Sequence, residues 1–216
     1  MGDVLRRACL ARYGRRFSGA PSATLAGKNK EGNPLGGHGH AHYLSLDQDG
    51  DGLLDHLVLW APSGLATGEV QALADLERLL GFGHVPDFRP ARLGLEAMGD
   101  IAQVAPELVG PSKRWRTFTP FAPARHAKRR TAWNEHIAEQ IRTELSWRGF
   151  PPPAGVRVVV GDSLAYRRHR PTTERLEHAR RASAVEMEFD EPVPGPVSLG
   201  ALSHFGLGLF LPAPES

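Results

Sequence analysis

Pro34-Leu-Gly-Gly-His-Gly-His-Ala-His-Tyr43 runs into Leu44-Ser-Leu-Asp47-Gln-Asp-Gly-Asp-Gly52 and then Asp55-His-Leu-Val-Leu-Trp60. His38, His40 and His42 fall at every second position, so on an extended chain they share one face. Gly39 and Ala41 leave the opposite side thin. The pattern predicts a strand over 40–46 with His40, His42, Leu44 and Leu46 on one face and Ala41, Tyr43 and Ser45 on the other. A second strand over 55–61 follows the Asp-Gly-rich connection, which predicts a hairpin.

Outward from this hairpin, residues 3–13 read as a short helix with Arg6, Arg7 and Arg12 on its polar side, and 14–37 as loop. Val70, Leu73, Leu76, Leu79 and Leu80 predict a helix over 67–80. Strands are expected over 92–98, 115–121, 156–161, 184–189 and 203–210, with a brief one over 197–200. A strong helix is expected over 131–148, stopped by Gly149 and Pro151. The polar, basic stretch 163–183 reads as a loop or as a helix that a ligand orders. The order is α+β with mostly antiparallel pairing. One strand ahead of the first helix would complete a β-α-β-β-α-β unit, so the expected organisation is two ferredoxin-like, RRM-like units. These are residues 1–110, with the histidine-rich hairpin, and 111–216, incomplete or modified, with the basic segments. A chain that opens on a short helix is expected to be the later part of something longer.

The 216 residues include one cysteine, Cys9, so no internal disulfide can form and a reducing compartment is expected. No apolar run reaches the about 18 residues of a membrane span, and no signal peptide is read at the start, so the cytoplasm is the expected location. The net charge of +2 hides an asymmetry. Residues 113–181 hold sixteen Lys or Arg against six acids, whereas 182–216 hold five acids and no basic residue. Such a block is a common footprint of phosphate-backbone binding, and also of a plain solvated surface.

The histidine row admits three readings. In the first, a histidine takes the proton from a ribose 2′-OH, which then attacks its own phosphate, and a second group protonates the leaving 5′-oxygen. His42, inside the strand, is the favoured base. In the second, His38, His40, His42 and His56 ligate a metal. In the third they are a structural cluster around a glycine-rich bend. Asp47-x-Asp-x-Asp-Gly52 opens like a calcium loop, but Val58 stands where the bidentate Glu belongs, so an acidic hairpin turn is the expectation. Lys113, Arg114 and Arg116 around Trp115 are candidate phosphate contacts, as are Arg125, Lys128, Arg129 and Arg130 at the start of the long helix. So are Arg167, Arg168 and Arg170 beside Tyr166, with Tyr166 or Trp115 able to stack on an unpaired base. His204 with Gly206 and Gly208 is a weaker candidate, the glycines permitting close approach of a phosphate chain. Trp60, Trp133 and Trp147 read as packing residues.

Gly37-His-Gly-His-Ala-His-Tyr-Leu44, the 47–62 stretch, Trp115-Arg-Thr-Phe-Thr-Pro-Phe121 and Ser203-His-Phe-Gly-Leu-Gly-Leu-Phe210 together resemble the CRISPR-associated fusion family of subtype I-U, also called I-G. That family joins a Cascade backbone subunit of the Cas-five type to a repeat-RNA endoribonuclease of the Cas-six type, and this chain resembles the second half over about residues 20–212. The resemblance implies two ferredoxin-like units and cleavage of precursor CRISPR RNA within its repeats. It implies a reaction needing no metal or other cofactor, leaving a 2′,3′-cyclic phosphate and a 5′-hydroxyl. It further implies a Cas-five-like domain and other effector subunits as partners, and a glycine-rich loop lying against RNA or the neighbouring subdomain. Family members carry a histidine near the first helix; here that helix has none, and the histidines stand at 38, 40 and 42. The competing functions are a non-catalytic RNA-binding subunit of a CRISPR effector and a metal-dependent hydrolase built on His38, His40, His42 and His56.

Overall fold

The computed structural model describes residues 1–18, 21–80, 90–127, 130–160 and 181–214. They are α+β with antiparallel sheets and fall into two units, one of Met1–Met98 and one beginning at Gly99.

In the first unit, helix α1 (Gly2–Arg16) turns Val4, Leu5 and Cys9 inward, where they pack with Leu25, Ala41, Tyr43 and Leu79. Burial pushes the Cys9 thiol up to about 12, which marks it as a packing residue and not a nucleophile. The stretch expected to be loop holds a one-turn helix, α2 (Ala23–Ala26). The Ser22 hydroxyl accepts the Leu25 N–H at its start, and Gly27 ends it at φ 66°.

Strands β1 (His42–Leu46) and β2 (His56–Trp60) form the expected hairpin, with His42 opposite Trp60 and Leu46 opposite His56. Both faces of β1 are buried. Ala41 and Tyr43 meet α1, and the Tyr43 hydroxyl donates to the Leu25 carbonyl at 2.8 Å. The strand starts two residues later than the histidine alternation predicts. Ahead of His42 the backbone is tied elsewhere: Ala41 N–H to Thr24 O at 3.0 Å, and Gly39 O to the N–H and hydroxyl of Ser63.

Helix α3 (Thr67–Ala74) is shorter than predicted. Arg78–Leu79 is instead β3, paired with β4 (Ala91–Arg92), and this short pair replaces the strand expected over 92–98. A leucine every third residue fits either outcome here. Leu79 stays fully buried, while the strand turns Leu80 to solvent, where a continued helix stripe would have buried both.

The second unit opens with α4 (Ile101–Val104) and a 3-10 turn at Pro106–Leu108. Its sheet holds β5 (Ser112–Thr117), β6 (Gly155–Val159), β7 (Ala184–Val193), β8 (Val197–Ser198) and β9 (Leu209–Pro212) in the order β6-β7-β5-β9-β8. Helix α5 (Trp133–Trp147) joins β5 to β6 and lays Ile137, Ile141 and Leu145 against Trp115, Val185, Met187 and Phe210. Each such aliphatic side chain contributes about 1.5–3 kcal/mol by leaving water. The buried pair Glu144–Arg148 sits on this helix, and Glu144 also accepts the Gly200 N–H at 3.2 Å, anchoring the C-terminal turn. β5 ends at Thr117, short of the expected Phe121, because the N–H groups of Phe118 and Thr119 turn to Leu209 O. The strand expected from 203 begins at Leu209; a 3-10 turn, Ser203–Phe205, precedes it.

Gly206 and Gly208 both have positive φ, and a Cβ on Gly208 would stand 2.0 Å from the Leu199 carbonyl oxygen. The close approach that Gly208 allows is therefore to the chain's own backbone. Gly208→Ala is expected to cost more than about 1 kcal/mol of unfolding free energy. Gly36→Ala, where nothing lies within 4 Å, is the control and is expected to be near neutral. Urea unfolding that shifts both variants equally would contradict this account of the loop.

Candidate active site and nucleic-acid interface

The three histidines of the opening stretch do not form one strand face. His42 alone lies in β1, 1% exposed, its ring 4.9 Å from that of Trp60 across the hairpin. A group so enclosed does not reach a bound sugar, so His42 as the contacting base is corrected: the ladder that fixes it also seals it. His40 and His38 precede the strand and are half-buried. The rings of His40 and His42 stack at 6.5 Å.

His40 lies against the end of α2, where a Cβ on Gly27 would come within 2.6 Å of its ring. The neighbouring carbonyl, that of Ala26, accepts the guanidinium of Arg6 at 2.7 Å. The imidazole thus lies beside Gly27, the guanidinium is tied to the residue before it, and the charge of Arg6 is felt at His40. Burial, then the charges of His38 and Arg6, hold the His40 pKa below the ordinary histidine value. At neutral pH its ring is the free base, the form that accepts a proton. Arg6 was not a site candidate from sequence; its place beside Leu5, on the border of the buried face of α1, was the available signal.

His56 is the residue that the metal reading requires, and it is placed elsewhere. It sits at the far end of the hairpin from His42 and bridges Asp55 and Glu96, each at 2.9 Å. The hydrogen bond that its Nδ1 donates to Asp55 is the main reason its pKa is raised. Asp55 is in turn held below the usual carboxylate range, first by the Gln48 N–H and then by His56. Asp47, Asp49 and Asp55 bring their carboxylates within 4.8 Å of one another. Asp47 accepts the N–H groups of Gly50 and Gly52, as an acidic turn does.

The basic candidates divide. Trp115 is fully buried, with its indole N–H donating to Ser112 O at 3.0 Å, so it cannot stack on a base; a central strand takes its largest side chain into the core. Arg114 and Arg116 point to the other face of β5, near Glu186 at 3.9 and 3.7 Å. Lys113 is half-buried on the same strand. Arg125 and Arg130 are exposed ahead of α5, whose first turn has no side-chain cap. Arg125 lies over the ring of Trp147 at 5.6 Å, and Arg181 over that of Trp133 at 4.2 Å. Trp147 is 57% exposed, so the packing role expected for it is corrected, while Trp133 does pack partly against the core. His204 is half-buried on the 3-10 turn of the second unit. Gly206 O accepts the Thr119 hydroxyl at 2.7 Å, which ties the glycine loop to the 117–122 segment. Lys128, Arg129, Tyr166, Arg167, Arg168 and Arg170 lie outside the described residues.

Comparison with family models, with curated proteins and with solved structures finds no match to this chain.

An NMR titration of the imidazole Cε1 protons is expected to place His40 below the ordinary histidine midpoint and His56 above it. Arg6→Ala is expected to move His40 upward, since a repelling charge is removed, and to leave His56 in place. A His40 midpoint indifferent to Arg6 would show that the two groups are not coupled.

Proposed function

We propose that this chain binds the repeats of precursor CRISPR RNA and cleaves them by internal attack of a ribose 2′-OH. The observation that carries the reading is the α2 end, where Ala26 O accepts Arg6 and His40, its pKa lowered by burial and by the charges of His38 and Arg6, lies against Gly27. In this reading His40 accepts the 2′-OH proton. The O2′–P bond forms as the P–O5′ bond breaks, and His38 in its protonated form returns a proton to the departing O5′. Arg6 faces the charge that builds on the phosphorane oxygens. The products are a 2′,3′-cyclic phosphate and a 5′-hydroxyl; the balance calls on no further reactant. His42 orients His40 through the ring stack and does not touch RNA.

The second unit supplies phosphate contacts in this proposal, from Arg114, Arg116, Arg125 and Arg130. Its strand order supports a ferredoxin-like reading: β9-β5-β7-β6, with α5 crossing between β5 and β6, follows the antiparallel β-α-β-β…β pattern. The position of the second helix of that pattern holds β8 and the 3-10 turn. The first unit pairs its strands only two by two among the described residues, so the ferredoxin-like reading there rests on the resemblance. No helix among the described residues is long and apolar enough to cross a membrane. We place the protein in the cytoplasm beside a Cas-five-like partner and other effector subunits.

Single-turnover cleavage of repeat RNA in EDTA tests the proposal. His40→Ala is expected to lose about 10²–10⁴-fold in rate with RNA affinity little changed. His42→Ala is expected to lose less rate and more stability. Equal cleavage by His40→Ala and the unmodified chain would remove His40 as the base. Tight binding without cleavage by the unmodified chain would make this a non-catalytic RNA-binding subunit.

A further inference from the structure

The face of the second unit's sheet turned away from α5 carries a row of charges in register. Arg116 of β5 and Arg157 of β6 both pair with Glu186 of β7, from opposite sides. Arg157 donates to the Glu186 carboxylate through Nε at 2.9 Å and also through its Nη2. Arg116 and Arg114 approach the same carboxylate at 3.7 and 3.9 Å. Three guanidiniums therefore converge on one carboxylate, which has about four acceptor positions for their fifteen or so N–H donors. Arg116 and Arg157 keep 45% and 64% of their side-chain surface exposed, so both guanidiniums can reach an acceptor arriving from solvent. Glu188 follows on the same face of β7, opposite Arg114. Three cations thus face two acids, and Glu186 is the acid that all three cations approach.

A row built only to hold strands together would pair charges one to one. Here one acid is approached by three cations across three strands, and guanidiniums suit an oxyanion with several oxygens. We propose that Glu186 is a built-in counterion for an RNA-phosphate contact surface. It keeps the exposed Arg116 and Arg157 arrayed on either side of it and yields part of their N–H donors when backbone phosphate arrives. By cancelling charge in the free protein it also keeps the face from taking up polyanions indiscriminately, a cost against wrong ligands rather than a gain for the right one. The surface deepens the RNA-binding reading above and rests on it. It adds Arg157, which the charge pattern along the sequence did not single out.

The two outcomes differ in sign. Fluorescence anisotropy of a labelled oligouridylate is measured over a salt series with the whole chain. Glu186→Gln is expected to tighten binding about twofold to fivefold at low salt, the scale of one partly exposed charge pair. Arg157→Ala, at a mostly exposed position of an edge strand, is expected to weaken binding and lower the salt slope by about 0.7, one phosphate contact on a single strand. Were Glu186 only a strand tie, Glu186→Gln would lower the unfolding midpoint and leave affinity unchanged or weaker, which overturns the proposal. Should Glu186→Gln not fold, Arg157→Ala alone decides: unchanged affinity and slope overturn it. RNA binding by the unmodified chain with no response to either variant removes this surface while sparing the RNA reading. No binding by the unmodified chain removes both.

Discussion

The imidazole of His40 occupies the space that a side chain at Gly27 would need. The features proposed for the first unit depend on that contact. Gly27 has positive φ, so the same residue that ends α2 also clears room for the ring. The residue before it gives its carbonyl to Arg6. A one-turn helix is far too short to be stable alone, and its Ser22 cap is held in turn by the buried carboxylate of Glu69 at the start of α3. A change at Glu69 would thus reach His40 through Ser22 and the turn of α2, without touching the imidazole.

Burial and function pull the histidines apart. In water the three rings would titrate alike. Here the ladder hydrogen bonds of β1 carry His42 into the interior, while the ties from Gly39 to Ser63 and from Ala41 to Thr24 keep the preceding turn out of the sheet. His40 is left at the boundary, buried enough to lose affinity for a proton and still half in contact with solvent. A base that meets a bound sugar must keep that access, and His42, 1% exposed, does not have it.

The elements that periodicity dictates were legible from residues alone. The hairpin at 42–60, the i, i+4 core of α5 and the alternation of Val185, Met187 and Phe189 in β7 all follow from it. What was not legible depends on long-range ties. Nothing local says that Gly39 bonds Ser63, so a regular His-x-His-x-His pattern reads as strand. Nothing local separates a Leu-x-x-Leu-x-x-Leu helix from a helix that breaks into a two-residue strand. Trp115 stands among three basic residues and reads as a surface aromatic. Alternation along β5 already assigns Trp115 and Arg116 to opposite faces, but which face is the core is settled only by β7 and α5.

Charge counted along the chain overstated the second unit's positive character for a related reason. The basic block of 113–181 and the acidic tail of 182–216 are neighbours in sequence, but the sheet makes them partners in space. β7 comes from the acidic tail and inserts between β5 and β6, so the outward acids of the one meet the outward arginines of the others. The block is thus divided. Among the described residues, Arg114, Arg116 and Arg157 on the sheet face gather about Glu186, whereas Arg125 and Arg130 ahead of α5 stand exposed. Association driven by net charge would make little distinction between the two sets. In a contact surface whose counterion is already in place, phosphate must compete with a carboxylate held at a fixed register. Binding there then depends on where the phosphates lie as well as on how many there are.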